Sequence, residues 1–215
     1  MIFTAKDIRE NLDDSVIINP YDEDQINPNS YDVRLGNYFY LLRWGHGEPG
    51  YYGPIYVPND QPLVLPKGET VLAMTKEIVG GYFDVTTQIR AKSSTRRLGI
   101  SICDDAGLGD VGYVDYWTLE LTANTNYAVV KPNMRIAQVV FHSVKSALSV
   151  ENDYGGQYRR AFPENMVPKK LEHLIAPVPD AYNPYILVDL IEDLESVEKK
   201  LFDERCIRAS APTRG

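Results

Sequence analysis

The chain has 215 residues, 44% hydrophobic and 24% charged, enough for one domain with a sizeable core and a short appended piece. Its 22 basic and 30 acidic residues give a net charge of −8, which repels a nucleic-acid backbone and disfavours binding to a nucleic-acid polymer. Cys103 and Cys206 are too few for a disulfide framework, the start MIFTAKDIRENL lacks a signal peptide's apolar core, and no run reaches membrane-spanning length. A reducing, cytoplasmic setting without a membrane partner is therefore expected.

Along the chain, Thr4 is placed to cap a short helix running through Asn11, with Asp7 three residues on in a capping-box position. From Val16 to about Val150 short apolar or alternating runs follow one another: Tyr38–Leu42, Leu63–Leu65, Val71–Met74, Thr87–Arg90, Trp117–Thr122, Tyr127–Val130 and Ile136–His142. Pro66, Gly68, Gly80, Gly81, Gly107, Gly109, Gly112 and Pro132 punctuate them as turn signals. Many short strands at this spacing predict a mainly β sandwich or barrel rather than βαβ units. Trp44–Pro62, rich in Gly, Pro and Tyr, reads as a long loop or a hairpin.

After Val150 the character changes, which divides the chain into a β domain at 1–150 and a carboxy-terminal extension at 151–215. Asn152–Asn165 is polar and glycine-containing, with Arg159 and Arg160, and is expected to be a mobile segment. In Asn183–Phe202, Leu187, Leu190, Ile191, Leu194, Val197 and Leu201 line one helical face. Such a helix either docks on the domain or makes a subunit contact.

The stretch Ala91–Leu121 carries the chemistry. Lys92, Ser93, Ser94, Arg96 and Arg97 form a basic, hydroxyl-rich loop, and between Thr86 and Cys103 four cations (Arg90, Lys92, Arg96, Arg97) occur without an acid. Cations and hydroxyls of this kind suit phosphate oxygens, so a small polyanion fits better than a polymer. The plain alternative is that Ser93, Ser94 and Arg97 cap a turn and solvate a surface. Glu120 sits inside the run Trp117-Thr118-Leu119-Glu120-Leu121. Strand alternation puts Leu119 and Leu121 toward the core and Thr118 and Glu120 outward or into a subunit cleft. A carboxylate so placed is either a solvated surface charge or a general base. Zinc chemistry is not expected: His46, His142, His173 and the two cysteines lack the HxE and PCxxC ligand pattern of nucleobase deaminases.

The order KSSTRRLG, DAGLGDVGY, TLEL resembles the central motif of the dCTP deaminase branch of the dUTPase superfamily, RSSxxRLG, TAGxIDPGFxG and TLEL. Thr4–Leu12 resembles that family's opening helix, and QINPNSYDVRLG at Gln25–Gly36 its QxxPxSxDLRLG segment. Leu65–Glu77 and Val130–Phe141 resemble its PGE and PGM strands, so the matches run in order through about residues 1–145.

This resemblance implies a distorted jelly roll or β-barrel of the dUTPase-like kind, with short amino- and carboxy-terminal helices. It implies a homotrimer with active sites between subunits, and a deoxycytidine nucleotide substrate with Mg²⁺ on its triphosphate. Glu120 falls on the catalytic glutamate, Ser93 on the serine that orients the attacking water, and Arg97 on a supporting arginine. Lys92, Ser93, Ser94, Thr95, Arg96 and Arg97 fall on the triphosphate-binding segment. Ala106, Asp110, Thr118 and Leu119 fall on positions around the nucleoside, Asp110 beside the deoxyribose 3′-hydroxyl. Tyr154, Gln157 and Tyr158 fall on the carboxy-terminal lid, where Gln157 replaces the lid lysine and Arg159 and Arg160 supply a cation instead. Further departures are Val111 for the usual proline, Asp115 for a glycine, and the acids Asp104 and Asp105 near the base position. The expected activity is zinc-independent deamination of dCTP to dUTP and ammonia. The alternatives are a bifunctional enzyme continuing to dUMP and pyrophosphate, or a non-catalytic nucleotide-binding regulator on the same fold.

Overall fold

The computed structural model describes residues 1–45, 48–103, 106–146 and 174–176. They lie in the compact unit Met1–Val178; a second unit, Pro179–Gly215, lies outside the described residues. The division after residue 150 and the helix expected at 183–202 also fall outside them.

The first helix, α1, is Ala5–Glu10, and both halves of its capping box form. The Asp7 amide donates to Thr4 Oγ1 at 3.3 Å, and the Thr4 amide donates to Asp7 Oδ2 at 2.8 Å. Two otherwise orphaned donors are thereby satisfied, while Ile8 is fully buried and fixes the helix to the sheet.

Strands follow as β1 (Val16–Asn19), β2 (Ile26–Asn27), β3 (Ser30–Gly45), β4 (Glu48–Tyr56), β5 (Leu63–Pro66), β6 (Thr70–Gly81) and β7 (Val85–Ala91). A one-turn helix α2 (Ser93–Arg97) leads to β8 (Ile100–Ile102), β9 (Leu108–Gly109), β10 (Val114–Ala123), β11 (Tyr127–Val130), β12 (Arg135–Ser143) and β13 (Ile175–Ala176). Every apolar run named from the sequence lies inside one of these strands, which makes the fold mainly β as expected. The hydrogen-bonded order is β8-β10-β6-β3-β12-β7-β9, with β1 on β6, β2 and β4 on β3, β13 on β4, and β11–β5 as a separate pair.

Strand β3 is what curls the sheet. Its first part, Tyr31 to Arg34, pairs with β12, whereas Leu35 to Leu42 pairs with β6, with a register shift between Leu35 and Phe39. One long strand thus serves both halves, and its side chains Leu35, Phe39 and Leu41 are buried, as are Leu119, Leu121 and Phe141 of β10 and β12. Burial of each such side chain stabilises the fold by roughly 1.5–3 kcal/mol.

Three details differ from or sharpen the sequence reading. The Trp44–Pro62 stretch contains a hairpin arm, β4, antiparallel to β3 from Tyr38↔Tyr56 to Gly45↔Glu48. Gly80 and Gly81 are not a turn but the end of β6, because a Cβ on Gly80 would lie 2.0 Å from the Tyr113 carbonyl oxygen. Within the Lys92–Arg97 stretch, Ser93–Arg97 is helical rather than a loop, for reasons given below. Among the described residues, no helix is long and apolar enough to cross a membrane.

Candidate functional site

Helix α2 forms because its middle residue is anchored. Thr95 is fully buried and its hydroxyl donates to the Ile136 carbonyl of β12 at 2.8 Å. The Arg96 amide closes the turn on the Lys92 carbonyl at 2.9 Å. Gly99 then ends it at φ +82°, a left-handed conformation where a Cβ would lie 2.3 Å from Thr125 Cγ2. With Thr95 turned inward, Ser93, Ser94, Arg96 and Arg97 are all exposed. The Thr95 hydroxyl is committed to Ile136, so only its main chain remains for a ligand. The Lys92 side chain, 21% exposed, ion-pairs with Asp32 of β3, whose side chain is 3% exposed.

Strand β10 alternates as its sequence dictates. Trp117, Leu119 and Leu121 are buried, whereas Tyr116 and Thr118 are half-buried and Glu120 is exposed. Opposite residues of an antiparallel pair share a face, so register defines the surroundings of the carboxylate. Glu120 stands opposite Leu72 of β6, which stands opposite Tyr40 of β3, and Thr118 stands opposite Met74. Tyr40, Leu72 and Met74, together with Tyr51, form a buried cluster against which Tyr116 and Leu174 pack. Glu120 therefore sits at the open end of an apolar row. On its other side, the Cys103 amide donates to the Glu120 carbonyl at 3.0 Å, and the Cys103 thiol lies 3.7 Å from the Thr118 carbonyl. Among the described residues, nothing hydrogen-bonds or ion-pairs with the Glu120 carboxylate.

Asp110 is exposed in the turn before β10. That turn is fixed by the Tyr113 amide donating to the Asp110 carbonyl at 3.0 Å and the Gly112 amide to the Gly81 carbonyl at 2.7 Å. Ala106 is exposed, its amide donating to the Cys103 carbonyl at 2.7 Å. Trp117 holds β10 in place: its indole nitrogen donates to the Val79 carbonyl at 3.0 Å and its ring meets Tyr113 edge-on at 5.2 Å.

Helix α2 and β10 are tied through β8. Arg96 Nη1 donates to Ser101 Oγ at 3.1 Å, and Asn124 Nδ2 donates to the same oxygen at 2.7 Å. Beside this relay lies a cavity of about 460 Å³ lined by Arg90, Arg96, Ser101, Cys103, Gly107 and Leu108, among others. His142 on β12 is held below its ordinary pKa by partial burial, then by the amino terminus and Arg90, which marks this side as positive.

Ser93, Arg97, Asp110 and Glu120 are thus all displayed outward, but no hydrogen bond or ion pair among the described residues joins their side chains. Tyr154, Gln157, Tyr158, Arg159, Arg160 and the acids Asp104 and Asp105 lie outside the described residues. Sequence reasoning missed Asp32 as the partner of Lys92, and Ser101 and Asn124 as the link between α2 and β10. The signal for Asp32 was present: a carboxylate in the alternating run Tyr31-Asp32-Val33-Arg34-Leu35, where alternation from the core residues Tyr31 and Val33 sets it on the opposite face.

Residues 2–144 match the dCTP deaminase-like family. A dCTP deaminase, dUMP-forming, from Cytophaga hutchinsonii is 32% identical over 164 residues, covering 74% of this chain and 91% of its relative. The protein of that name from Clostridium beijerinckii is 31% identical over 175 residues, covering 80% and 99%. Among solved structures, the 2′-deoxycytidine 5′-triphosphate deaminase of Agrobacterium tumefaciens superposes with a TM-score of 0.55 at 25% identity, over 66% of this chain. This chain spans about half of that one, 48% of its length. With the motif order, the curled β fold and these likenesses in agreement, the chain belongs to the dCTP deaminase-like family of enzymes.

Proposed function

We propose that this protein hydrolytically deaminates dCTP, with Glu120 as the general base. The observation that carries the reading is that Glu120 is the exposed carboxylate of a strand whose other residues are buried or half-buried, bordered by Leu72 and Thr118 and without a partner among the described residues. A carboxylate kept free in this way can take a proton from water as its oxygen bonds to cytosine C4. It then returns that proton to the exocyclic nitrogen while the C4 hydroxyl proton passes to N3, and the C4–N bond breaks to release ammonia and leave the uracil carbonyl. Ser93 orients the water, and Arg97 supports the site. Ser94, the Thr95 main chain, Arg96 and Arg97 hold the triphosphate, and Asp110 meets the deoxyribose 3′-hydroxyl. Ala106, Thr118 and the main chain of Leu119, whose side chain is buried in the core, line the base and sugar. Mg²⁺ arrives with the triphosphate as part of the substrate, and no zinc is used.

Ser93, Ser94, Arg96, Arg97, Ala106, Asp110 and Glu120 are exposed in the single chain, and Leu98 and Leu108 are exposed beside them at 42% and 68%. This supports a homotrimer in which a neighbouring subunit covers and completes each site. The tail residues Tyr154, Gln157, Tyr158, Arg159 and Arg160 close over the nucleotide in this reading, and the enzyme works in the reducing cytoplasm.

The shared name of the relatives, dCTP deaminase, dUMP-forming, favours the bifunctional reading over release of dUTP. In the second step a water activated by Asp110 attacks the α-phosphorus, giving dUMP and pyrophosphate. Incubation of the purified protein with dCTP and Mg²⁺, followed by chromatographic separation, tests both steps. dUMP is the expected product. Accumulating dUTP would remove the second step, and unchanged dCTP that still protects the protein against heat would replace the enzyme by a binding module.

A further inference from the structure

Within the proposed triphosphate segment, Lys92 is built differently from its neighbours. Its ammonium ion-pairs with Asp32 Oδ2, while Asn27 Nδ2 donates to Asp32 Oδ1 at 2.9 Å and Arg135 Nη1 stands 4.0 Å from Oδ2. Asp32 is 3% exposed, so its charge is removed from water and Lys92 is its nearest compensation. The same residue's carbonyl accepts the amide of Arg96, the bond that closes α2. Lys92 is thus tied at both ends: its side chain to β3, its main chain to the helix that presents Ser93 and Ser94.

We propose that Lys92 is a positioning residue rather than a phosphate ligand, forming with Asp32 a strut between β3 and α2 that sets where Ser93 and Arg97 stand. This rests on the dCTP deaminase reading of the site. An ammonium that left Asp32 for a phosphate would leave a buried carboxylate with the Asn27 amide and a 4.0 Å contact to Arg135 in place of its nearest cation, whereas Arg96 and Arg97 are exposed and lose no such partner on turning to an anion. The two readings differ in what they require of Asp32. A phosphate ligand needs nothing from Asp32, and a strut fails equally when either end is removed.

The test is a double-mutant cycle in the full-length protein with Lys92→Met, Asp32→Asn, the two combined, and Lys92→Arg, measuring kcat, KM for dCTP and the thermal midpoint. Each single variant is expected to lower kcat roughly 10-fold with KM changed less than about 3-fold, because the water-orienting group is displaced while the phosphate contacts remain. The double variant should be no worse than the poorer single, the signature of one shared interaction. Lys92→Arg, which keeps the charge, should recover most of kcat. If a single variant fails to fold, the double variant, which leaves no buried charge unpaired, carries the kinetic comparison. Lys92→Met that raises KM about 10-fold while Asp32→Asn leaves the kinetics unchanged would make Lys92 a phosphate ligand and overturn the proposal. Additive effects, or a lowered thermal midpoint with unaltered kcat, would overturn it as well. Wild-type protein inert toward dCTP would instead defeat the functional reading, and would be seen before any variant is compared.

Discussion

Glu120 and Glu77 are the same residue type on neighbouring strands of one sheet, and they have opposite fates. Glu77 of β6 is fully buried, accepting from the Arg34 amide at 2.8 Å, from Arg34 Nε at 2.6 Å and from Gln25 Nε2 at 3.2 Å. Glu120 of β10 is exposed, and its carboxylate has no partner among the described residues. The first carboxylate is consumed in joining β3 to β6, and the second is held in reserve. The difference lies in whether the fold brings donors to the oxygen atoms, because burial of a charge without them is too costly to persist. A charge left unpaired beside apolar side chains is the one available for chemistry.

The most severe way to probe the contrast is to empty the buried pair. Arg34→Met leaves Glu77 without its guanidinium and should cost about 3–5 kcal/mol of stability, read as a large drop in the denaturation midpoint. A midpoint within a degree of wild type would show that the buried pair contributes nothing and that the contrast is empty.

Glu120→Gln should do the reverse. Turnover of dCTP should fall about 10²-fold or more, equivalent to about 2.7 kcal/mol of transition-state stabilisation, with thermal stability and nucleotide binding retained. Retained turnover would remove Glu120 as the base.

A smaller effect should come from Leu174→Ala. Leu174 packs on the cluster of Tyr40, Tyr51, Leu72 and Met74, and the adjacent strand β13 pairs in parallel with Tyr51 and Tyr52 of β4. Truncation of this half-buried side chain should lower stability by about 1–2 kcal/mol. A denaturation midpoint unchanged from wild type would show that Leu174 contributes nothing to the cluster.

Asp7 supplies the mildest case, a carboxylate committed to partners at the surface. Hydrogen bonds from the Thr4 amide and hydroxyl hold its pKa below the ordinary 3.8. A depressed carboxylate adds stability above its unfolded pKa and loses it as the pH falls through the lower folded value. Asp7→Ala should therefore lower the melting temperature by roughly one or two degrees at neutral pH, and the gap should close in acid below the ordinary value. A gap that persists unchanged in acid would assign the effect to helix packing rather than to the cap.

Much of this was legible in one dimension because it depends on neighbours along the chain. The capping box of α1 needs only Thr4 and Asp7 three residues apart, and the outward face of Glu120 follows from alternation against Leu119 and Leu121. The family itself was legible from motif order, since KSSTRRLG, DAGLGDVGY and TLEL are contiguous strings. Local propensity misread α2 as a loop, because the helix depends on Thr95 reaching Ile136, 41 residues away. It likewise read Gly80 as a turn, when its lack of a side chain serves the close approach of Tyr113.

The sequence by itself determined which residues face outward, where the strands run and which family the chain joins, because period-two alternation and short motifs are encoded locally. Only the tertiary structure decided which charges are committed to partners and which remain free. Asp32 meets Lys92 across 60 residues and Arg34 meets Glu77 across 43, separations fixed by the path of β3 through both halves of the sheet. Alternation gives every polar side chain a face, but a hydrogen-bond partner on that face is supplied by whichever strand the fold lays beside it.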